Sequence, residues 1–302
     1  MIYFFAIIIL LIYACIFRSK YERGVLDITK INILHKLSSE SEPVILFFSD
    51  LHGVSFGKNN EKLLSAIDKI NPDAIIIGGD MIVDKPKHFT NDSKTVENAV
   101  NLLNKLCEKY TVYYGMGNHE TKSRLHEKIT AEYMNYLYRI KNNNLHILAN
   151  KHEYVTIKGT RFCIYGLEID ASYYSKKSLT FADQAYIESK LGPAPEHNHS
   201  IPIVISHNPD SFDACASWGA EYVLSGHNHG GFVRLPLIGG LIASNFRLFP
   251  KYTAGVYKHK THPSTMLLSR GLGTHTIKFR LFNKPELMVL KFKPKGQPNE
   301  NI

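Results

Sequence analysis

Five short polar clusters lie along the chain in a fixed order, and each sits where an apolar run ends. They are Ser49-Asp50-Leu51-His52-Gly53, Gly78-Gly79-Asp80, Gly117-Asn118-His119-Glu120, Ser206-His207-Asn208 and Gly226-His227-Asn228-His229-Gly230-Gly231. The runs before them are Val44 to Phe48, Ala74 to Ile77, Tyr110 to Tyr114, Ile203 to Ile205 and Tyr222 to Leu224. Short apolar runs rich in β-formers and bounded by Gly and turn residues read as buried strands. Open α/β sheets place their ligand crevices at the C-terminal ends of such strands. The chain must therefore fold so that several strands deliver polar side chains to one edge of a layered core.

The clusters offer carboxylates, imidazoles and amides, the ligands that divalent metals of intermediate softness accept, and no thiolate is among them. That combination points to a two-metal hydrolytic centre rather than a redox or iron–sulfur site. Glycines flank the ligand candidates, where sharp strand exits need positive φ and a crowded site needs close backbone approach.

Between the clusters, helical spacing runs over Lys58 to Ile70, Asp92 to Lys109 (capped by Asp92 or Ser93) and Glu120 to Lys141. Strands alternating with helices indicate βαβ units. After Leu145 the pattern becomes antiparallel. A hairpin turns at Lys158-Gly159, strand-like stretches fall within Val256 to Ser269, and another strand covers Leu287 to Lys293. A sandwich of two mixed sheets with flanking helices accounts for both halves.

With 302 residues, 44% of them hydrophobic, the chain is long enough for one large α/β domain, read from about Pro43 to Lys293, with a polar tail over 294–302. A net charge of +9 favours anionic partners: phosphate esters, acidic membrane surfaces or nucleic acid. No aromatic-interleaved basic groove supports nucleic acid. The four cysteines show no C-x-x-C pair and read as free thiols, which mildly favours a reducing compartment.

Met1 to Phe17 carries no charged side chain, and Arg18, Lys20 and Arg23 follow at once. The length is at the short end for a bilayer span, and neither the basic n-region nor the cleavage site of a signal peptide is evident. The expectation is an uncleaved single-pass anchor over 1–17 and a polar stalk over 18–42. The positive-inside rule places the domain in the cytoplasm, but the bias is small and sidedness stays open.

With these residues in view, the chain resembles the calcineurin-like metallophosphoesterase superfamily, whose pattern D-x-H, G-D, G-N-H-[DE], a lone His and G-H-x-H is met from Asp50 to His229. The resemblance implies a four-layer αββα fold. It implies that Asp50, His52 and His229 bind one metal, that Asn118, His207 and His227 bind a second, that Asp80 bridges both, and that His119 sits close without ligating. Residues after Gly230, including Arg234, Tyr252 and Ser269 to Thr274, are similar to bacterial membrane-anchored phosphodiesterases of that superfamily, UDP-2,3-diacylglucosamine hydrolases among them. Two positions depart from the pattern. Many members carry an Asp three residues after the bridging one; here that position is Val83, and Asp84 comes one residue late, as an orienting group for His119 or as a plain surface residue. Phe232 stands where many subgroup members have Gln.

The implied activity is hydrolysis of phosphodiester or pyrophosphate bonds by a metal-bridging hydroxide, on a lipid-linked or headgroup phosphate at a membrane or envelope. Two cations neutralise the phosphate and activate water; Mn²⁺, Zn²⁺ and Fe²⁺ all accept this ligand set. His119 is the natural general acid, oriented by Glu120 or Asp84. Arg234 and Arg270 read either as phosphate clamps or as surface ion-pair residues. The alternatives are a phosphomonoesterase acting on nucleotides or phosphoproteins, and a non-enzymatic scaffold, which the retention of every ligand argues against.

Overall fold

A computed structural model of the chain describes residues 1–35, 41–89, 93–174, 181–196, 200–235, 238–242, 248–274 and 277–295. Asp92 and the tail from 296 onward lie outside these residues. The chain begins with α1 (Ile2–Glu22), β1 (Asp27–His35) and β2 (Val44–Phe48). Next come α2 (Glu61–Ile70), β3 (Ala74–Ile77), α3 (Lys94–Cys107), β4 (Val112–Gly115), α4 (Asn118–Leu125), α5 (Thr130–Arg139) and β5 (Leu145–Leu148). The second half holds β6 (Lys151–Ile157), β7 (Thr160–Leu167), α6 (Gln184–Leu191), β8 (Ile201–Ser206), α7 (Phe212–Trp218) and β9 (Tyr222–Ser225). It closes with the two-residue ladder β10 (Arg234–Leu235) and β11 (Gly239–Gly240), then β12 (Gly255–Lys258), β13 (Thr265–Leu268) and β14 (Glu286–Pro294).

The strands form two six-stranded mixed sheets, ordered β1-β14-β2-β3-β4-β5 and β12-β13-β9-β8-β7-β6. Each joins parallel strands to antiparallel ones: one antiparallel pair in the first, β14 with β2, and two in the second, β12 with β13 and β6 with β7. Successive side chains enter different cores. Ile45, Phe47 and Ile76 point between the sheets, where they meet Phe162, Ile203, Ile205 and Leu224. Leu46, Phe48, Ile75 and Ile77 point outward beneath α2, α3 and α5. Val204, Val223 and Met266 pack beneath α6 and α7. Both faces of each sheet are covered, which is why these strands read as continuous apolar runs rather than alternations. The architecture is the expected four-layer αββα sandwich.

Three local expectations are corrected. The helix expected over Glu120 to Lys141 is two helices, broken at His126–Ile129. His126 turns extended (ψ 112°), and the Thr130 hydroxyl donates to its carbonyl at 2.7 Å. The break exposes Leu125 while burying Ile129, Tyr133 and Tyr136, a phase that one straight helix does not provide. The segment read as stalk contains β1, an edge strand running parallel to β14, with Ile31 and Ile33 turned toward the inter-sheet core. The short alternation Thr29, Ile31, Ile33 is the sequence signal for this strand. The apolar helix does not end at Phe17 but continues to Glu22; from Tyr3 to Glu22 it is long and apolar enough to cross a membrane, with only 6% of that window buried.

Because Phe47 fills the space between the two sheets, Phe47→Ala is expected to cost about 3–5 kcal/mol in chemical denaturation of the full chain. A loss below about 1 kcal/mol would mean that the sheets do not share a close-packed core.

Candidate metal centre

The five loops that gather at one edge of the sandwich leave β2, β3, β4, β8 and β9. The parallel ladder of β2 and β3 carries on past the strands: Asp50 N–H donates to Gly79 O at 2.9 Å, His52 N–H to Asp80 O at 3.0 Å and Gly53 N–H to Met81 O at 2.9 Å. Asp50, His52, Asp80, His227 and His229 all adopt positive φ, from 49° to 71°. Non-glycine residues in that region cost of order 1–3 kcal/mol each and persist where surrounding structure over-determines them. Sequence reasoning assigned this conformation to the flanking glycines; the ligand candidates themselves carry it too. Gly117 and Gly226 serve closeness instead. A Cβ on Gly117 would lie 2.2 Å from Asp80 Oδ1, and one on Gly226 would lie 2.5 Å from Asp50 Oδ2.

Glu120 is the keystone of the loops. Its carboxylate accepts from Asp80 N–H (2.8 Å), Met81 N–H (2.8 Å), Gly117 N–H (3.0 Å) and Tyr114 O–H (2.7 Å). With its oxygens so engaged, it fixes the Asp80 loop against the start of α4. It does not orient His119. That contact belongs to Asp84, whose carboxylate oxygen meets His119 Nδ1. Asp84 N–H also lies 3.2 Å from the same nitrogen; the closer carboxylate decides that Nδ1 carries the proton. The one-residue delay of this Asp is thus absorbed by the loop.

The seven ligand candidates and His119 lie together. His52, His119, His207, His229, Asp50, Asp80 and Asn118 are buried, and His227 is half-buried. The ligand atoms of Asp50, His52 and His229 fall within 4.8 Å of one another, as do those of Asp80, His207 and His227 and those of His52, Asp80 and His119. Three of the imidazoles are held from behind by backbone carbonyls. His52 Nδ1 faces Ile82 O at 3.4 Å, His229 Nδ1 faces Gly273 O at 3.1 Å and His207 Nδ1 faces Gly78 O at 2.7 Å. A carbonyl only accepts, so each Nδ1 carries hydrogen and each Nε2 presents a lone pair inward. The Nε2 atoms of His52 and His229 then confront each other at 3.1 Å. His207 Nε2 lies 3.1 Å from Asp80 Oδ2, yet it and the buried Asn118 Oδ1 have no well-aligned hydrogen bond among the described residues. Lone pairs facing lone pairs and carboxylates are satisfied by a cation seated among them, so the residues fit divalent metal.

The electrostatics agree. Burial opposes protonation of His207, but the Asp80 and Asp50 carboxylates outweigh it and push the imidazole up to about 10. The oxygens thus demand positive charge, which a metal ion supplies in place of that proton. Burial lifts Asp50 to about 6 against the pull of His207. Burial would lift Asp80 as well, but His207 and His119 hold it well below the usual carboxylate range. Burial, reinforced by the charge on His207, drives His227 down to about 3, so it is a neutral donor. Burial also opposes a proton on His119, yet Asp80 and Asp84 raise its affinity.

Other residues complete the setting. Arg270 is not free to clamp phosphate: it pairs with Asp27 at 2.7 Å and Glu286 at 2.8 Å, tying β1 to β14. Arg234 reaches Thr253 Oγ1 and Ala254 O, each at 3.5 Å. Tyr174, from a loop with no motif to reveal it, packs its ring edge against His227 with centroids 5.0 Å apart. Asn283 donates through Nδ2 to His229 O at 2.7 Å, steadying the last loop.

A family model for the calcineurin-like phosphoesterases matches residues 43–231. The Caenorhabditis elegans protein F40B5.2 is 23% identical over 84% of this chain, which spans only 49% of that protein's length. Phosphodiesterase YaeI of Escherichia coli (strain K12) is 26% identical over 82% of this chain and 81% of its own. UDP-2,3-diacylglucosamine pyrophosphatase LpxG of Chlamydia muridarum is 27% identical over 32% of this chain and 30% of its own. The chain belongs to the calcineurin-like phosphoesterase family.

Proposed function

We propose that the chain hydrolyses phosphodiester or pyrophosphate bonds of a membrane- or envelope-associated substrate, with two divalent transition-metal ions (Mn²⁺, Zn²⁺ or Fe²⁺). Asp50, His52 and His229 hold one ion, Asn118, His207 and His227 hold the other, and Asp80 is shared. The observation that carries this reading is the inward convergence of lone pairs: His52 and His229 Nε2 at 3.1 Å, with His207 Nε2 facing Asp80 Oδ2 at 3.1 Å and Asn118 Oδ1 without a hydrogen bond among the described residues. Bound there, the metals neutralise the phosphate and supply the activated water. A shared carboxylate offsets repulsion between two cations, and the neutral imidazoles and amide leave the site net positive for an anionic substrate.

His119 presents Nε2 to the site, 3.8 Å from Asp80 Oδ2, while Asp84 engages Nδ1. It donates the Nε2 proton to the leaving oxygen, and Asp84 keeps the ring oriented and protonated as that proton departs. Glu120 acts at one remove, by fixing the Asp80 loop. The names of YaeI and LpxG, a diesterase and a pyrophosphatase, support a phosphodiester or pyrophosphate substrate. The apolar helix supports a membrane anchor, and its C-terminal basic residues favour a cytoplasmic head.

Purified full-length chain reconstituted with Mn²⁺ is expected to cleave bis-p-nitrophenyl phosphate in preference to p-nitrophenyl phosphate; preference for the monoester would replace the diesterase reading with a phosphomonoesterase. Asp80→Ala is expected to empty both sites in elemental analysis and to abolish measurable turnover, and retention of full metal content would remove its bridging role. His119→Ala should lower kcat by about 10²–10⁴ while metal content stays unchanged. Loss of metal from His119→Ala would make it a ligand instead, a role its distance to His52 and Asp80 permits.

A further inference from the structure

A cleft of about 330 Å³ opens at the foot of α1, between the last helical turn and the chain that follows β13. Lys20 and Arg23 line it from the helix end, Lys278 and Arg280 from the opposite wall, and no carboxylate lies among its lining residues. The basic groups on the two walls come from distant parts of the sequence, so the cluster is not merely the charged flank of an apolar segment. The partial negative charge of a helix C-terminus is present here, and four full cations outweigh it. Lys20, Arg23 and Lys278 have no ion-pair partner among the described residues. The Nε atoms of Arg23 and Arg280 are buried donors with no hydrogen bond among the described residues, and Arg280 is only 1% exposed. Leu272 and Val54 add an apolar wall beside the charges.

The cleft is rigidly built. Arg280 N–H donates to Ser19 Oγ at 2.9 Å and Asn283 N–H to Glu22 Oε2 at 3.0 Å, which fastens α1 to the head. Arg280 Nη2 gathers the carbonyls of Arg270, Gly271 and Gly273. Gly273 in turn holds His229 Nδ1, so one wall of the cleft is the back of the metal centre.

We propose that this cleft binds the phosphate of an anionic lipid headgroup, seating the catalytic head against the bilayer. The proposal rests on reading α1 as a membrane anchor, not on turnover at the metal centre. With the uncharged part of α1, Tyr3 to Phe17, in the membrane, Lys20 and Arg23 stand at headgroup depth, where basic residues attract anionic lipid. The unpartnered guanidinium donors match phosphate oxygens, and the apolar wall suits the glycerol and first methylenes. A phosphate carried on a lipid fits that combination better than the free ion, which has no use for the apolar wall.

The test is calorimetric titration of the metal-free full-length chain, in uncharged detergent, with dioctanoyl phosphatidylglycerol, dioctanoyl phosphatidylcholine and inorganic phosphate. Saturable binding of the anionic lipid is expected, weakened about thirtyfold in the double variant Lys20→Gln, Lys278→Gln. It should be unchanged in Lys105→Gln, Lys141→Gln, which removes equal charge from a remote surface. Equal binding of phosphatidylcholine, equal weakening by both double variants, or equally tight binding of inorganic phosphate would each overturn the proposal. A full-length chain that stays soluble without detergent and fails to float with liposomes would overturn it through the anchor reading, leaving the metal centre untouched.

Discussion

Buried negative charge at the edge where the two sheets end is the constraint on which the rest of the molecule depends. Asp50 and Asp80 are almost fully excluded from solvent, five imidazoles crowd around them, and the amide oxygen of Asn118 is buried as well. Burying carboxylates without compensation is costly, and His52, His207 and His229 are held by carbonyls in the tautomer that offers lone pairs rather than protons. Such a collection is coherent only when positive charge sits inside it. The raised proton affinity of His207 and the unpartnered oxygen of Asn118 are two symptoms of one demand.

The scaffold is arranged to keep that demand in place. Each candidate ligand leaves a strand buried on both faces, so its Cα is fixed by three stacked cores before its side chain is considered. Five candidates sit in left-handed backbone conformations that a free loop would relax. Glu120 binds three backbone N–H groups and one phenol, which locks the Asp80 turn against α4. Asn283 and Arg280 hold the last loops from the other side, and the same pair of residues meets the end of α1. The end of α1 and the ligand-bearing loops therefore share one short connecting segment.

Much of this was legible in the sequence because the relevant features are local. Apolar runs with polar, glycine-flanked ends announce buried strands and their functional edges, and Gly226-His227-Asn228-His229-Gly230 carries two imidazoles two residues apart. What escaped depends on tertiary contact. β1 was read as stalk because its pattern spans few residues and gains its meaning only beside β14. The break between α4 and α5 lies in helix-compatible sequence and follows from burying Ile129 and Tyr133. Whether Asp84 or Glu120 orients His119 rests on loop geometry, as does the spending of Arg270 on Asp27 and Glu286. Tyr174 has no motif at all; it matters only because a loop lays it against His227.

Anomalous diffraction from crystals of the full chain grown with Mn²⁺ tests the central claim most directly. The account predicts two manganese peaks about 3.5–4 Å apart, with an Asp80 oxygen between them. A single peak, or peaks away from Asp80, would contradict it.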